Sequence, residues 1–178
     1  MDNQSIKLIS LGYFERAMLE QVAEAIGQEF RINVATRAQH IDLSSFFDSS
    51  RRQYDANLLL RYIETHYADD QVKTLGLVSV DLFIPILTYI FGQAFLNGRS
   101  GIASHYRLGN ERYGLPPDPL LLTKRYIKEV IHELGHCFGL IHCHTTGCVM
   151  QSSTYVEDID QKKSSFCKKC ARELNLTP

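Results

Sequence analysis

The residues that could do chemistry in this chain gather in one short stretch. His132-Glu133-Leu134-Gly135-His136 places two imidazoles four residues apart. On a helix that spacing turns both rings the same way, so one ion can bridge them, and zinc favours nitrogen donors in a roughly tetrahedral array. Glu133 is turned about 100° from His132, beside such an ion rather than on it, where a carboxylate can act as general base toward water. A five-residue pattern arises by chance in many proteins, and its ordinary reading is a solvated helix face. Here the pattern continues through Cys137-Phe138-Gly139-Leu140-Ile141-His142. A helix cannot run through residue 139 and also bring His142 to the same ion. Gly139 permits the left-handed backbone of a sharp turn, after which the chain doubles back with a third imidazole. Three protein ligands leave a position for water or a substrate carbonyl, as a catalytic zinc requires.

A second set of donors follows directly. Cys143, Cys148, Cys167 and Cys170 are four of the five cysteines, and they fall within one segment after His142. Cys167-Lys168-Lys169-Cys170 has zinc-knuckle spacing, the Cys143/Cys148 separation is also within range, and Gly147 lets the intervening loop curl. Four thiolates close a coordination sphere, so this zinc would be structural. The redox alternative for the CxxC lacks the usual strand before it. His144 is an alternative to one cysteine. Cys137 lies on the helix beside its core stripe and reads as a small buried thiol.

These donors need a frame. A helix from about Leu122 to Phe138 carries Ile127, Val130, Ile131, Leu134 and Phe138 on one stripe, with His132 and His136 roughly opposite. Upstream, Ile6 to Leu11 and Arg31 to Ile41 read as strands, with a helix from Glu15 to Phe30 between them. A second helix is expected from Asp48 to Tyr67, with Asp48, Ser49 or Ser50 as N-cap. Lys73 to Leu82 and Thr88 to Leu96 read as strands, the latter turning through Asn97-Gly98-Arg99-Ser100-Gly101 into Ile102 to Leu108. Gly114 to Pro119 is a stiff loop, and an irregular cysteine-rich tail ends in a short helix near Ser165 to Leu174. The order implies an α/β fold, α+β in its mixed sheet, with one sheet carrying helices.

Composition sets outer bounds. The 178 residues suit one domain, and 44% hydrophobic with 22% charged residues is ordinary for a globular chain. A net charge of −1 gives no electrostatic footprint for nucleic acid. Met1 to Ser5 lacks the basic and apolar blocks of a secretory signal, so the expectation is a cytoplasmic protein. Leu75 to Leu96 approaches a membrane span in length, but Asp81, Pro85, Gly92 and Gln93 interrupt it; two buried strands flanking a turn at Pro85 fit better, and no membrane association is expected. Lys162, Lys163, Lys168 and Lys169 read as a solvated basic patch. His40, His66 and His105 read as surface or satisfied histidines.

The extended histidine motif followed by Met150, eight residues after His142, resembles the metzincin pattern, with Met150 as the residue of the Met-turn. The set Cys143, Cys148-Val149-Met150 and Cys167-x-x-Cys170 is similar to the archaemetzincins. So are Val80-Asp81-Leu82-Phe83, Phe91-Gly92-Gln93-Ala94 and Tyr113-Gly114-Leu115-Pro116-Pro117. The resemblance implies a compact metzincin-like fold, a metallopeptidase with Glu133 as catalytic base, and peptide or protein substrates. It implies two zinc ions per chain, one catalytic on His132, His136 and His142 and one structural on the four cysteines. It further implies one catalytic domain over 1–178, with an N-terminal part to about 139 and a C-terminal part from about 140. By the same resemblance, a strand near Thr88 to Leu96 would accept an extended peptide by strand addition. Some metzincins carry a Tyr two residues after the Met, where Ser152 stands here; Tyr155 is then the nearest partner for an oxyanion, or simply a loop aromatic. Two rivals to an enzyme are a zinc-containing peptide-binding module with little turnover, against which Glu133 argues, and a nucleic-acid-binding zinc module, against which the net charge argues.

Overall fold

The computed structural model describes residues 5–176, so most of the Met1–Ser5 segment behind the cytoplasmic expectation lies outside the described residues. The chain opens with β1 (Ser5–Leu11), α1 (Arg16–Phe30) and β2 (Val34–Gln39). In α1 the residues Val22, Ile26 and Phe30 recur at four-residue spacing and are buried, the stripe a helix needs to lie on a sheet. Short strands β3 (Phe47–Asp48) and β4 (Gln53–Asp55) come next, then α2 (Ala56–Tyr67) and β5 (Val72–Val78).

The second helix therefore begins eight residues later than Asp48. Its N-cap is Asp55, whose carboxylate accepts from the N–H groups of Asn57 and Leu58. Asp48 instead accepts from the N–H groups of Ser50 and Arg51 and from the Ser50 hydroxyl, closing a turn. An Asp-Ser cluster satisfies a helix start and a turn equally well; pairing of residues 47–48 with 53–54 selects the turn.

The stretch that approaches membrane-span length is β structure. β6 (Leu82–Ile84) and β7 (Leu87–Ile90) form a hairpin around Pro85 and Ile86, followed by β8 (Gly92–Ala94) and β9 (Ser100–Ser104). No described helix is long and apolar enough to cross a membrane. The helical part of the site follows in α3 (Pro119–Cys137), and the tail holds α4 (Val156–Gln161) and α5 (Lys168–Glu173). α4 has no counterpart in the sequence reading.

The strands form two sheets rather than one. A five-stranded sheet runs β2-β1-β5-β9-β8, parallel except for β8, and a four-stranded sheet runs β3-β4-β6-β7. The strand expected over Thr88 to Leu96 breaks at Phe91, giving β7 to one sheet and β8 to the other. Both faces of the larger sheet are covered, as in most parallel sheets. Ile6, Leu8, Leu75 and Leu77 pack with α1 and α3, whereas Ile9, Leu11, Val78 and Ile102 pack with α2. The outcome that matters for the site is that β8 is an edge strand, paired among the described strands only with β9, and lies against α3.

Candidate active site and metal centres

α3 starts cleanly. Asp118 caps it by accepting from the Leu121 N–H, and Pro119 occupies the first turn, where no N–H is needed. The core stripe is present: Val130, Ile131 and Leu134 are fully buried, each worth about 1.5–3 kcal/mol of apolar burial. Ile127 and Phe138 are only partly buried. The opposite face is covered as well, since every residue from Glu129 to Gly135 is buried. The covers are β8 and the loop around Met150.

The helix ends as Gly139 predicts. Gly139 has φ +97°, its N–H donates to the His136 carbonyl and the Leu140 N–H to the Gly135 carbonyl. These two bonds are the Schellman pair, with glycine at the left-handed position. The chain reverses and returns His142. Its ring centroid lies 5.3 Å from that of His132 and 5.0 Å from that of His136. One ring nitrogen of each of His132, His136 and His142 falls within 4.8 Å of the other two.

Backbone carbonyls fix the tautomers. His132 Nδ1 donates to the Val149 carbonyl at 2.9 Å and His136 Nδ1 to the Leu140 carbonyl at 2.7 Å. With the proton held on Nδ1, each Nε2 presents a lone pair inward, and those two nitrogens stand 3.1 Å apart. Burial, and then the Lys162 and His136 charges, push His132 well below its ordinary pKa; burial likewise lowers His136 and His142. Neutral imidazoles are the form that binds metal. Zinc–nitrogen bonds of about 2.0–2.1 Å in a tetrahedron set nitrogens about 3.3 Å apart, so the donor set fits zinc.

Glu133 is buried and stands outside the three-nitrogen set. Burial, reinforced by Glu129 and opposed by Lys162, drives its carboxyl well above the ordinary range. Met150 is fully buried beneath the helix, and a Cβ on Gly135 would collide with its sulfur. Three contacts hold this turn: the Cys143 N–H donates to the Met150 carbonyl at 2.9 Å, and Lys162 Nζ donates to Gln151 O at 2.8 Å and Val149 O at 3.3 Å.

Lys162 overturns its reading as part of a solvated patch. Its side chain is 1% exposed, 3.5 Å from Glu129 Oε1. Lys163, Lys168 and Lys169 remain exposed. A signal existed: Val156 and Ile159 are buried at three-residue spacing, and Lys162 is the next step of that stripe. Recognising it required first recognising α4. Glu129, three residues before His132, gave no signal beyond its place on the helix. Of the histidines set aside, His105 packs edge-on against Phe14 and Tyr126, and His66 stacks on Tyr62. Cys137 is fully buried, and burial pushes its thiol up to about 12.

The four cysteines Cys143, Cys148, Cys167 and Cys170 also converge, with sulfurs within 4.8 Å of one another. Cys143 and Cys167 are 3.8 Å apart, as are Cys148 and Cys170. A zinc–sulfur bond of about 2.3 Å gives a tetrahedral edge of about 3.8 Å, so this set fits zinc too. Backbone N–H groups of Thr145 and Cys167 point at the sulfurs of Cys143 and Cys148, each at 3.4 Å. Although burial works to raise it, hydrogen bonds centred on Cys170 bring the Cys167 thiol down to about 6; Cys170 itself is raised by burial and its thiol neighbours.

A cleft of about 470 Å³ opens over the histidines. One wall is residues 87–94, the floor is Glu129, His132, Glu133, His136 and His142, and the other wall is Ser153, Thr154 and Tyr155. Tyr155 is 62% exposed at the rim.

Known proteins are similar to this chain in sequence and in fold. The model of Peptidase family M54 matches residues 11–176. An archaemetzincin of Saccharolobus solfataricus is 34% identical over 177 residues, covering 98% of this chain and 94% of the relative. One from Pyrococcus abyssi is 45% identical over 143 residues, covering 77% and 76%. The crystal structure of archaemetzincin from Methanopyrus kandleri superposes with TM-score 0.84 at 30% identity, covering 98% of this chain and 94% of that one. A zinc-dependent peptidase from Methanocorpusculum labreanum superposes with TM-score 0.83 at 29% identity, covering 96% and 100%.

Proposed function

The chain belongs to peptidase family M54, with the archaemetzincins, and is a zinc metallopeptidase; from that premise we propose how its own residues divide the work. His132, His136 and His142 hold the catalytic zinc, and Glu133 is the general base. The observation that carries this reading is the position of Glu133. It is buried on the helix that bears two of the ligands, it lines the same cleft, and it is not one of the donors. Zinc bound there supplies a Lewis acid that acidifies water and polarises a scissile carbonyl. Glu133, buried beside the donors and lining the same cleft, would accept a proton from the attacking water and hand it to the departing amine.

Peptide binds along β8. As the edge of the larger sheet, β8 offers main-chain groups to an extended segment, and Gly92 to Ala94 lie along the cleft beside Glu133. Cys143, Cys148, Cys167 and Cys170 hold a second, structural zinc, so each chain carries two ions. Because Cys143 also closes the Met150 turn, that zinc braces the floor of the active site. Residues 1–178 act as one catalytic domain, the part to about 139 supplying sheet and helix and the part from about 140 the third ligand, Met150 and the cysteines. Four thiols gathered as metal donors suit the reducing cytoplasm. Turnover of a peptide library by zinc-loaded protein tests the reading; binding of peptides without hydrolysis would overturn it.

A further inference from the structure

Among the described residues, three buried side-chain polar atoms have no hydrogen-bond partner: Gln93 Oε1, Glu129 Oε1 and Ser153 Oγ. All three residues line the cleft. Buried polar atoms are ordinarily satisfied, so unsatisfied atoms on residues that line a binding cleft mark where an occupant would supply the missing partner. Gln93 and Glu129 present oxygen there, and oxygen of these types accepts. The amide nitrogen of Gln93 is already committed to Asn57 Oδ1 at 2.9 Å, which leaves the carbonyl oxygen as its free end.

Glu129 is the decisive group. Its side chain is 4% exposed and lies one helical turn before Glu133, on the same face. The nearest cation, Lys162, is 3.5 Å away and itself 1% exposed, with its ammonium donating to the Val149 and Gln151 carbonyls. Substrate in the cleft therefore meets the carboxylate and not the ammonium. Among the described residues no lysine or arginine lines the cleft, and the acidic residues that line it are Glu129 and Glu133.

We propose that Glu129, with Ser153 also lining the cleft, forms a subsite for a cationic group of the peptide substrate, an ammonium or guanidinium next to the scissile bond. The proposal rests on the peptidase reading above and adds a substrate class to it. A cation-to-carboxylate hydrogen bond is charge-assisted and discriminates against an apolar isostere, which would leave the carboxylate with only its ion pair to Lys162 at 3.5 Å.

The test uses zinc-loaded protein and a peptide set that places Lys, Arg or norleucine at each position flanking the bond, each with a free or acetylated N-terminus. The expected result is a kcat/KM ratio of Lys or Arg over norleucine of about ten to a hundredfold at one position, falling toward one in Glu129→Gln. If acetylation abolishes the preference, the cation is the peptide's α-amine; if it does not, the cation is a side chain. Because Glu129→Gln leaves Lys162 without its carboxylate, the double variant Glu129→Gln/Lys162→Met, which removes both charges, is measured in parallel. Equal cleavage of Lys, Arg and norleucine peptides by the parent, or retention of the preference in the variants, overturns the subsite while leaving the peptidase reading intact. Should no peptide be cleaved, the peptidase reading fails instead, and fluorescence anisotropy of the same peptides decides the subsite: a tighter Kd for the cationic peptides that Glu129→Gln abolishes supports it, and equal Kd values refute it.

Discussion

Gly92 of the edge strand β8 touches Glu133 of the active-site helix so closely that residue 92 has no room for a side chain. A Cβ there would stand 2.6 Å from Glu133 Cγ, 2.7 Å from its Oε1 and 2.7 Å from the Ile102 carbonyl oxygen. The carbonyl belongs to the neighbouring strand and cannot swing away, so an added Cβ displaces β8 at residue 92 as well as the carboxylate. Gly92→Ala is therefore expected to lose activity out of proportion to stability. For the base proposed at Glu133, a displacement on the scale of an ångström costs about a hundredfold in rate, while overpacking costs about 1–3 kcal/mol. Steady-state kinetics beside a denaturant melt separate the two effects, and the zinc content should stay unchanged.

Lys162 and Glu129 form a buried ion pair whose cation also grips the Met150 turn. Removing one partner of such a pair strands the other charge, at a cost of about 3–5 kcal/mol. Lys162→Met should unfold at correspondingly lower urea concentration, and adding Glu129→Gln should recover part of the loss. A single variant as stable as the parent would show that the pair does not hold the turn.

The parts of this protein that could be read from its sequence are those governed by local backbone geometry. The spacing of His132 and His136, the turn at Gly139 and the paired cysteines each prescribe a local shape, and the structure has each shape. The β1–α1–β2 order was legible for the same reason, through periodicity. What was not legible depends on distant partners. The break at Phe91, which sends β7 and β8 to different sheets, follows from pairing with β6 and β9. The choice of Asp55 over Asp48 as a cap follows from the β3–β4 pairing. The burial of Lys162 continues the Val156–Ile159 stripe of α4, but its reason is a carboxylate more than thirty residues away, at Glu129.

The two metal sites should differ in lability. The three-histidine site opens onto the cleft, whereas the four sulfurs lie close-packed in the tail. A chelator titration should remove one zinc early with little change in circular dichroism, and a second late, with loss of structure from Cys143 onward. Metal analysis at each step gives the stoichiometry. A total of one zinc per chain in protein kept reduced would contradict the second site.

Asp158 ties the cleft wall to α4. One of its oxygens accepts from the N–H groups of Thr154 and Tyr155, both at 2.8 Å, and these bonds, with that of Tyr155 the largest cause, hold its carboxyl below the ordinary range. A depressed folded pKa means the contribution is complete above the unfolded value of about 3.9 and is lost as pH falls through the lower folded value. Amide exchange at Thr154 and Tyr155, taken relative to its intrinsic rate at each pH, should be slow at neutral pH and speed up on acidification below that range. In Asp158→Ala it should be fast throughout. Exchange that is equally slow in both proteins would remove Asp158 from this role.

The assignment of Glu133 as general base is tested most directly by Glu133→Gln, measured for zinc content and peptide cleavage on the same preparation. Glutamine keeps the size and polarity of the side chain but cannot take a proton, and residue 133 is not among the three nitrogen donors. General acid–base catalysis is worth about 10² to 10⁴ in rate. The variant should retain the parent's zinc and cleave at least about a hundredfold more slowly. Wild-type turnover in zinc-loaded Glu133→Gln would contradict the account, because some other group would then have to take the proton from water.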